Sequence, residues 1–227
     1  VLEQGADVSY SACNIPYNIA DPARELDDLV VRSAAAFRDK QGIDLRTGHR
    51  VERIDRDTRT VHGRRSDGTA FAVDWDRLLI ATGATSIRPA IEGMDLPGVF
   101  TVKNLEDGRR IKEFLRERKA ERAVILGMGY IALEMTEALV DLGLAVDLVK
   151  PRVGLLPWLH RELAKPVREL LEQRGVGLYD GHRVDRITAA GDRLSVHAGD
   201  LALSADLVIA AIGVTPCVKL AEQAGLE

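Results

Sequence analysis

"AVILGMGYIALEMTEALVDLGLAVDLVK", residues 123–150, reads as strand, glycine turn, helix and strand. An apolar run precedes Gly127, Gly129 and Ala132, which fit the pattern G-x-G-x-x-G/A, and a second apolar run closes the unit. Its length matches the roughly 30 residues that a dinucleotide-binding βαβ unit needs. Each small residue has a physical task. Gly127 allows the tight turn, Gly129 lets the backbone approach a pyrophosphate, and Ala132 keeps helix and strand close. The anion then rests on the helix N-terminus, at Gly129, Tyr130 and Ile131, where free N–H groups and the helix dipole favour negative charge. A tight turn without a ligand is the competing reading, and the strand-helix-strand context argues against it. An acidic residue at the end of the second strand would accept from an adenosine ribose and repel a 2′-phosphate. The chain instead carries Lys150 and then Arg152. That is permissive for NADP(H); two solvated surface cations are the equal alternative.

A related unit lies upstream. "QGIDLRTGHRVERI" (41–54) aligns with "RGVGLYDGHRVDRI" (174–187) at a constant offset of 133. Each copy continues into alternating, strand-like sequence with turns. Each ends in an apolar run closed by glycine, "RLLIATG" (77–83) and "DLVIAAIG" (206–213). Both runs suit buried parallel strands. The expectation is therefore two α/β nucleotide-binding units. The opening "VLEQGADVSY" reads as the tail of a strand running into a loop, so the first unit is expected to lack its beginning and the chain to be a fragment. The matching strand end carries an acid, Glu3, which suits an unphosphorylated adenosine such as that of FAD.

Apolar residues make up 46% and charged residues 29%, which places the chain among ordinary globular proteins. A net charge of −4 and pI near 5.8 argue against a nucleic-acid or membrane-surface role, because phosphate recognition needs a basic footprint. No apolar run approaches the roughly 18 residues of a membrane span, and none reads as a signal peptide. Two distant cysteines make no disulfide framework and suggest a reducing, cytoplasmic compartment.

One of those cysteines stands in "SACNIPYN" (11–18), on an irregular, proline-marked segment. A free cysteine is more often a small buried hydrophobe than a nucleophile. Between a strand end and Pro16, in a chain with two nucleotide units, Cys13 is read as redox-active. The following residues are compatible with a helical start, and Asp21 with Pro22 reads as the cap and first residue of the next helix. Residues 109–123 read as an amphipathic linker helix, its glutamates interleaved with Ile111, Phe114 and Leu115, and its basic residues are not expected to bind nucleic acid. Pro166 is expected to kink or begin its helix. His49 and His182 are repeat-equivalent and are assigned to turns or strand ends.

These segments, with "VLEQGADVSYSACNIPYNI", "RLLIATGATSIRP", "ILGMGYIALEMTE" and "DLVIAAIGVTPCVKLAEQAGLE", stand in one order over essentially the whole chain. In that order the chain resembles the FAD- and NAD(P)-dependent pyridine nucleotide-disulfide oxidoreductases. The likeness is strongest to their single-cysteine branch of coenzyme A-disulfide reductases, NAD(P)H oxidases and peroxidases, and coenzyme A persulfide reductases. The resemblance implies an α/β fold of two Rossmann-like units, three-layered, with parallel sheet and antiparallel β-meander and with the FAD unit incomplete. It divides the chain into residues 1–110 of an FAD domain, 111–213 of an NAD(P) domain, and 214–227 returning to the FAD domain. The whole protein is expected to be a homodimer.

For the site, the resemblance implies electrons passing from NAD(P)H, bound at residues 127–132, by way of FAD to Cys13. The cysteine would cycle through a mixed disulfide with coenzyme A or another small thiol, or through sulfenic acid. Asn18 stands where dithiol members carry a second cysteine. Tyr130 matches the tyrosine that covers the nicotinamide side of the flavin, and Glu134 a carboxylate near the nicotinamide. Ala81, Thr82, Gly83 and Arg88 match the FAD-side region, Val51 the backbone site near adenine, and Gly213 the strand end on the NAD(P) side. Ser9 matches a position near thiol and substrate. Cys217 falls where the family is not catalytic. Ala12 and Asn14 depart from the Asn and Gly usual beside the cysteine. Disulfide or persulfide reduction is the leading expectation; oxidase or peroxidase activity and a nucleotide-binding fragment without activity are the alternatives.

Overall fold

The computed structural model describes residues 1–156 and 158–226; Pro157 and Glu227, the last residue of the 214–227 segment, lie outside them. Along the chain run α1 (Ile15–Ala20), α2 (Ala34–Gln41), β1 (His49–Asp55), β2 (Thr60–Arg65), β3 (Ala70–Asp74), β4 (Ala84–Ser86) and β5 (Val99–Thr101). Then follow α3 (Leu105–Glu117), β6 (Arg122–Leu126), α4 (Tyr130–Asp141), β7 (Ala145–Lys150), α5 (Arg161–Gln173) and β8 (Gly177–Asp180). The last elements are β9 (Arg186–Ala190), β10 (Arg193–Ala198), β11 (Leu201–Ala205), β12 (Leu207–Ala210), β13 (Val214–Pro216) and α6 (Lys219–Gln223). They fall into two compact units. One is Val1–Ser11, Asp27–Thr85 and Thr215–Glu227; the other is Ala12–Leu26 with Ser86–Val214.

The second unit is built on a five-stranded parallel sheet of order β5-β12-β6-β7-β8. Its central strands are continuous apolar runs because both faces are covered. Val124, Leu126, Val149, Val208 and Ala210 point one way, into a core shared with Ile187, Leu194, Val196, Leu203 and Ala205 of the antiparallel meander β9–β11. The alternate residues Ile125, Leu148, Leu207 and Ile209 face the opposite side. There α4 lies on β6 and β7 and buries Ala132, Met135 and Leu139 at helical spacing. Each fully buried Leu or Ile contributes about 1.5–3 kcal/mol relative to exposure. Gly143 ends α4 in the left-handed conformation (φ 87°), and the N–H of Leu144 returns to the carbonyl of Leu139 at 3.0 Å.

In the first unit, β1–β3 form an antiparallel meander. Ile54, Val61 and Ala224 make its small core, with Leu2, Val51, Trp75, Ile80 and Leu220 packed against it. The opening residues are extended, with Leu2 bridging Arg46 in parallel.

The structure departs from sequence expectation at four places. Residues 77–83 form no strand, and Leu79 is 88% exposed. A parallel strand needs a ladder of hydrogen bonds to neighbouring strands, and among the described residues this run forms no such ladder; its last residue, Gly83, accepts from the Cys217 N–H. Asp21 does not open a helix. It ends α1, and its carboxylate accepts from Ala23 N–H in a local turn instead. The linker helix α3 starts earlier than expected, because Asn104 caps it through Asp107 N–H at 2.9 Å, and it turns Lys112 inward. Helix α5 begins at Arg161, capped by His160, so Pro166 lies inside the helix and does not begin it. No helix among the described residues is long and apolar enough to cross a membrane.

Candidate functional site

In an open parallel sheet, ligands sit beyond the carboxyl ends of the strands. Four strand ends in the second unit gather there. Gly127 and Gly129 follow β6, Pro151 and Arg152 follow β7, Gly181, His182 and Arg183 follow β8, and Ala211, Ile212 and Gly213 follow β12. All but Gly181 line one cavity of about 890 Å³, together with Tyr130, Ile131, Lys150 and Trp158. That volume is in the range of small-molecule sites.

The glycine turn is shaped as its spacing predicts. Gly127 has φ 118°, and a Cβ there would come within 2.4 Å of the Ala211 carbonyl oxygen. No side chain is admissible at that crossing. Gly129 is different: its φ is −93°, and a Cβ would meet only the edge of the Trp158 ring, at 3.6 Å. The space beside Gly129 opens into the cavity, so the glycine keeps the backbone approachable. Helix α4 then begins with no side chain capping its first N–H groups. Uncapped donors, a positive helix end and a cradle that any side chain at 129 would fill form a donor set for a pyrophosphate. The residues present fit a dinucleotide.

At the β7 end of the cavity, Lys150 is buried and its ammonium donates to the Gly154 carbonyl, closing the turn after the strand. Burial lowers the Lys150 pKa, with Arg152 adding to the effect and Asp180 opposing it. Burial alone would raise the Asp180 carboxyl, but the Gly154 N–H at 2.6 Å and the Arg168 guanidinium at 2.9 Å outweigh it and the net shift is downward. The exposed cations at the cavity are therefore Arg152 and Arg183, with His182 beside them. At the other end Tyr130 is 66% exposed. Its ring lies 5.2 Å from that of Trp158, whose Nε1–H donates to the Tyr130 hydroxyl at 3.2 Å.

Of the residues expected from sequence, Gly127, Gly129, Tyr130, Ile131, Lys150, Arg152 and Gly213 share this cavity. Ala132 is fully buried beneath the turn, and Glu134 lies half-buried on α4 away from the lining. Arg88 bonds the Met94 carbonyl and Asp95. Cys13 is exposed, on a 3₁₀ turn (Ala12–Asn14) that leads directly into α1.

The rest belong to the first unit. Glu3 is half-buried and accepts the Gly5 N–H at 2.7 Å. An ionised carboxylate has about four acceptor positions, so it retains capacity for a ribose hydroxyl. Val51 lies in β1 beside a bulge. Ala81, Thr82 and Gly83 are exposed. The Thr82 hydroxyl donates to the Cys217 carbonyl at 2.6 Å, and the Cys217 N–H to the Gly83 carbonyl at 2.9 Å. Ser9 is exposed at φ 51°, and its carbonyl accepts from Val31 and Arg32.

Trp158, His182 and Arg183 were not anticipated as cavity residues. The signal for the last two was available: β8 lies beside β7, so the residues after β8 must adjoin those after β7. The repeat assigns His182, with His49, to a turn or strand end, which is where it stands, but does not say what that strand end faces. Nothing in the local sequence marks Trp158.

The model of the pyridine nucleotide-disulphide oxidoreductase family matches residues 1–227. Over the whole chain it is 32% identical to an NADH oxidase of Methanocaldococcus jannaschii, covering 51% of that protein. It is 35% identical to a CoA-dependent NAD(P)H sulfur oxidoreductase of Pyrococcus furiosus, covering 50% of it. Among solved structures, an NAD-dependent persulfide reductase from A. fulgidus superposes on all of the chain with a TM-score of 0.94 at 35% identity, the match covering 42% of that structure. The chain spans about half the length of the curated relatives it matches.

Proposed function

The chain belongs to the pyridine nucleotide-disulphide oxidoreductase family, and from that premise we propose that it is the NAD(P)H-binding and thiol-bearing part of a reductase of coenzyme A-type disulfides or persulfides. The carrying observation is the glycine turn after β6, which opens an uncapped helix N-terminus into the cavity at the strand ends. On this reading residues 1–110 and 214–227 serve the flavin and residues 111–213 the nicotinamide cofactor. When bound, the flavin and nicotinamide supply the electron pair that returns an oxidised cysteine to the thiolate.

The chain's own residues do the rest. The first N–H groups of α4 bind the pyrophosphate. Arg152 and Arg183 face the adenosine and favour a 2′-phosphate over a bare ribose hydroxyl, because a phosphate pairs with guanidinium donors. Tyr130, held by Trp158, shields the nicotinamide end. Glu3 accepts from the adenosine ribose of FAD. Cys13, which is exposed, attacks a disulfide sulfur as thiolate; its bond to one sulfur forms as the other leaves as a thiolate that takes up a proton.

The name of the Methanocaldococcus relative supports a second reading, an oxidase in which Cys13 passes through sulfenic acid. One experiment separates them. The protein carrying this chain is given NADPH or NADH with coenzyme A disulfide or with oxygen, and free thiol and oxygen consumption are measured. Thiol release that prefers NADPH and vanishes in Cys13→Ser is the expected result. Oxygen consumption without thiol release selects the oxidase, and full thiol release by Cys13→Ser removes the cysteine from either scheme.

A further inference from the structure

The segment Ala12–Leu26 carries the exposed Cys13 and is held from behind by α3. Lys112, on that helix, is 4% exposed, and nothing in the nucleotide cavity uses it. Its ammonium meets the Asn18 carbonyl at 2.8 Å, the Asn18 side-chain oxygen at 3.0 Å, the Asp21 carbonyl at 2.8 Å and the Arg24 carbonyl at 2.5 Å. An ammonium has three protons, so four oxygens fully occupy it. Asn18, 2% exposed, extends the network by donating to the Glu25 carbonyl at 2.9 Å. One helical turn after Lys112, Arg116 pairs with the Glu25 carboxylate at 2.8 Å. One turn before, Gly108 leaves room for Ile15 and Leu26, whose side chains would lie 3.1 and 2.9 Å from a Cβ there. Ile15 and Ile19, each 1% exposed, anchor the inner face of α1.

These contacts form a clasp at the carbonyl end of α1. Asn18 occupies the position that the resemblance assigns to a second cysteine in dithiol members. Here an amide joins the ammonium to the loop where those members carry sulfur. The turn bearing Cys13 continues into α1 without an intervening residue, so the orientation of the clasped helix sets the orientation of the thiol.

We propose that Lys112 is a positioning residue for Cys13, acting through Asn18 and the carbonyls of Asp21 and Arg24. The proposal rests on the redox reading of Cys13 and concerns how that thiol is presented. Burial lowers the Lys112 pKa and Arg116 adds to this, whereas Glu25 and Asp21 oppose it and Arg24 lowers it slightly further. The four oxygens are what keep the charged form in place.

The test needs neither flavin nor nicotinamide. In residues 1–227 with Cys217→Ser, Cys13 is the single thiol. Its reaction rate with dithiodipyridine is followed over a range of pH, and amide hydrogen exchange is mapped along the chain. Lys112→Met is expected to speed exchange in residues 15–24 by about tenfold or more, leaving β6 and α4 protected. It is also expected to change the Cys13 rate by about threefold or more and to move its pH profile. Asn18→Ser, a milder opening of the same clasp, shifts both readouts in the same direction by less, and it carries the test if Lys112→Met does not fold. A lower melting temperature with the Cys13 rate and profile unchanged in the folded variants overturns the proposal. Thiol release retained by Cys13→Ser would sink the redox reading separately.

Discussion

Residues 77–83 and 206–213 are both apolar and both end in glycine, yet they meet opposite fates. The four residues of β12, Leu207–Ala210, are at most 2% exposed, and the strand pairs in parallel with β5 on one side and β6 on the other. Leu79, in the upstream run, is 88% exposed and has no ladder partner among the described residues. Hydrophobicity is alike in the two. What differs is the supply of neighbours: a strand is stabilised by hydrogen bonds that only adjacent strands provide, and by layers that cover both faces. Apolar composition licenses a buried strand; it does not make one.

The largest expected effect separates the two runs directly. Ile209→Ala should destabilise the second unit by about 2–5 kcal/mol, the range for truncating a buried Ile. In residues 1–227 on their own, Leu79→Ala should stay within about 0.5 kcal/mol, as for an exposed site. Urea unfolding of each variant gives both numbers. A cost for Leu79→Ala comparable to that of Ile209→Ala would mean that the upstream run is packed after all, and the comparison would break.

The same distinction explains how much could be read from the sequence. The strand-turn-helix-strand from β6 to β7 was legible because every signal it needs is local: apolar runs, glycine spacing and the αL glycine that ends the helix. Both meanders were legible from alternation and turns. The fate of residues 77–83 was not, because strand pairing is a property of partners distant in sequence. The inward turn of Lys112 was not legible either, since charge and helical spacing do not reveal that four oxygens wait on the inner side. His182 stands at a strand end, as the repeat implies, but the repeat does not say that this strand end adjoins the one after β7. In each case the missing information was which elements lie side by side.

A smaller effect sharpens the contrast at the turns. Gly83 and Gly127 both have positive φ, at 66° and 118°. A Cβ on Gly83 would find nothing within 4 Å, whereas one on Gly127 would strike the Ala211 carbonyl just past β12. Alanine at either position carries left-handed strain of about 1–2 kcal/mol. Gly127→Ala should cost about 1–3 kcal/mol beyond that, since the backbone of the next strand must move. Gly129→Ala, at a permitted φ, should leave stability within about 0.5 kcal/mol yet weaken NADPH binding by about tenfold or more, read by nicotinamide fluorescence. Equal stability losses for Gly83→Ala and Gly127→Ala would show that the close approach of β12 is unimportant.

The smallest effect carries the lesson from backbone to charge. Asp147, within β7, and Asp180, at the end of β8, lie in one sheet, but their neighbours differ. Burial raises the Asp147 carboxyl, and only Arg122 opposes it. Asp180 is lowered, because the Gly154 N–H and Arg168 outweigh its burial. A raised carboxylate stabilises the fold below its unfolded pKa and loses that contribution as pH rises through the folded value. Asp147→Asn should therefore stabilise at pH 7 and lose its advantage on acidification. A lowered carboxylate does the reverse: Asp180 stabilises above the usual value of 3.8, and the contribution fades as pH falls through its folded value. Asp180→Asn should cost up to about 1 kcal/mol at pH 7 and nothing in strong acid. Melting curves of the two variants across pH should thus diverge from the parent in opposite directions at neutrality and converge as the carboxyls protonate. Parallel curves would mean that the neighbours of these two acids do not decide their charge.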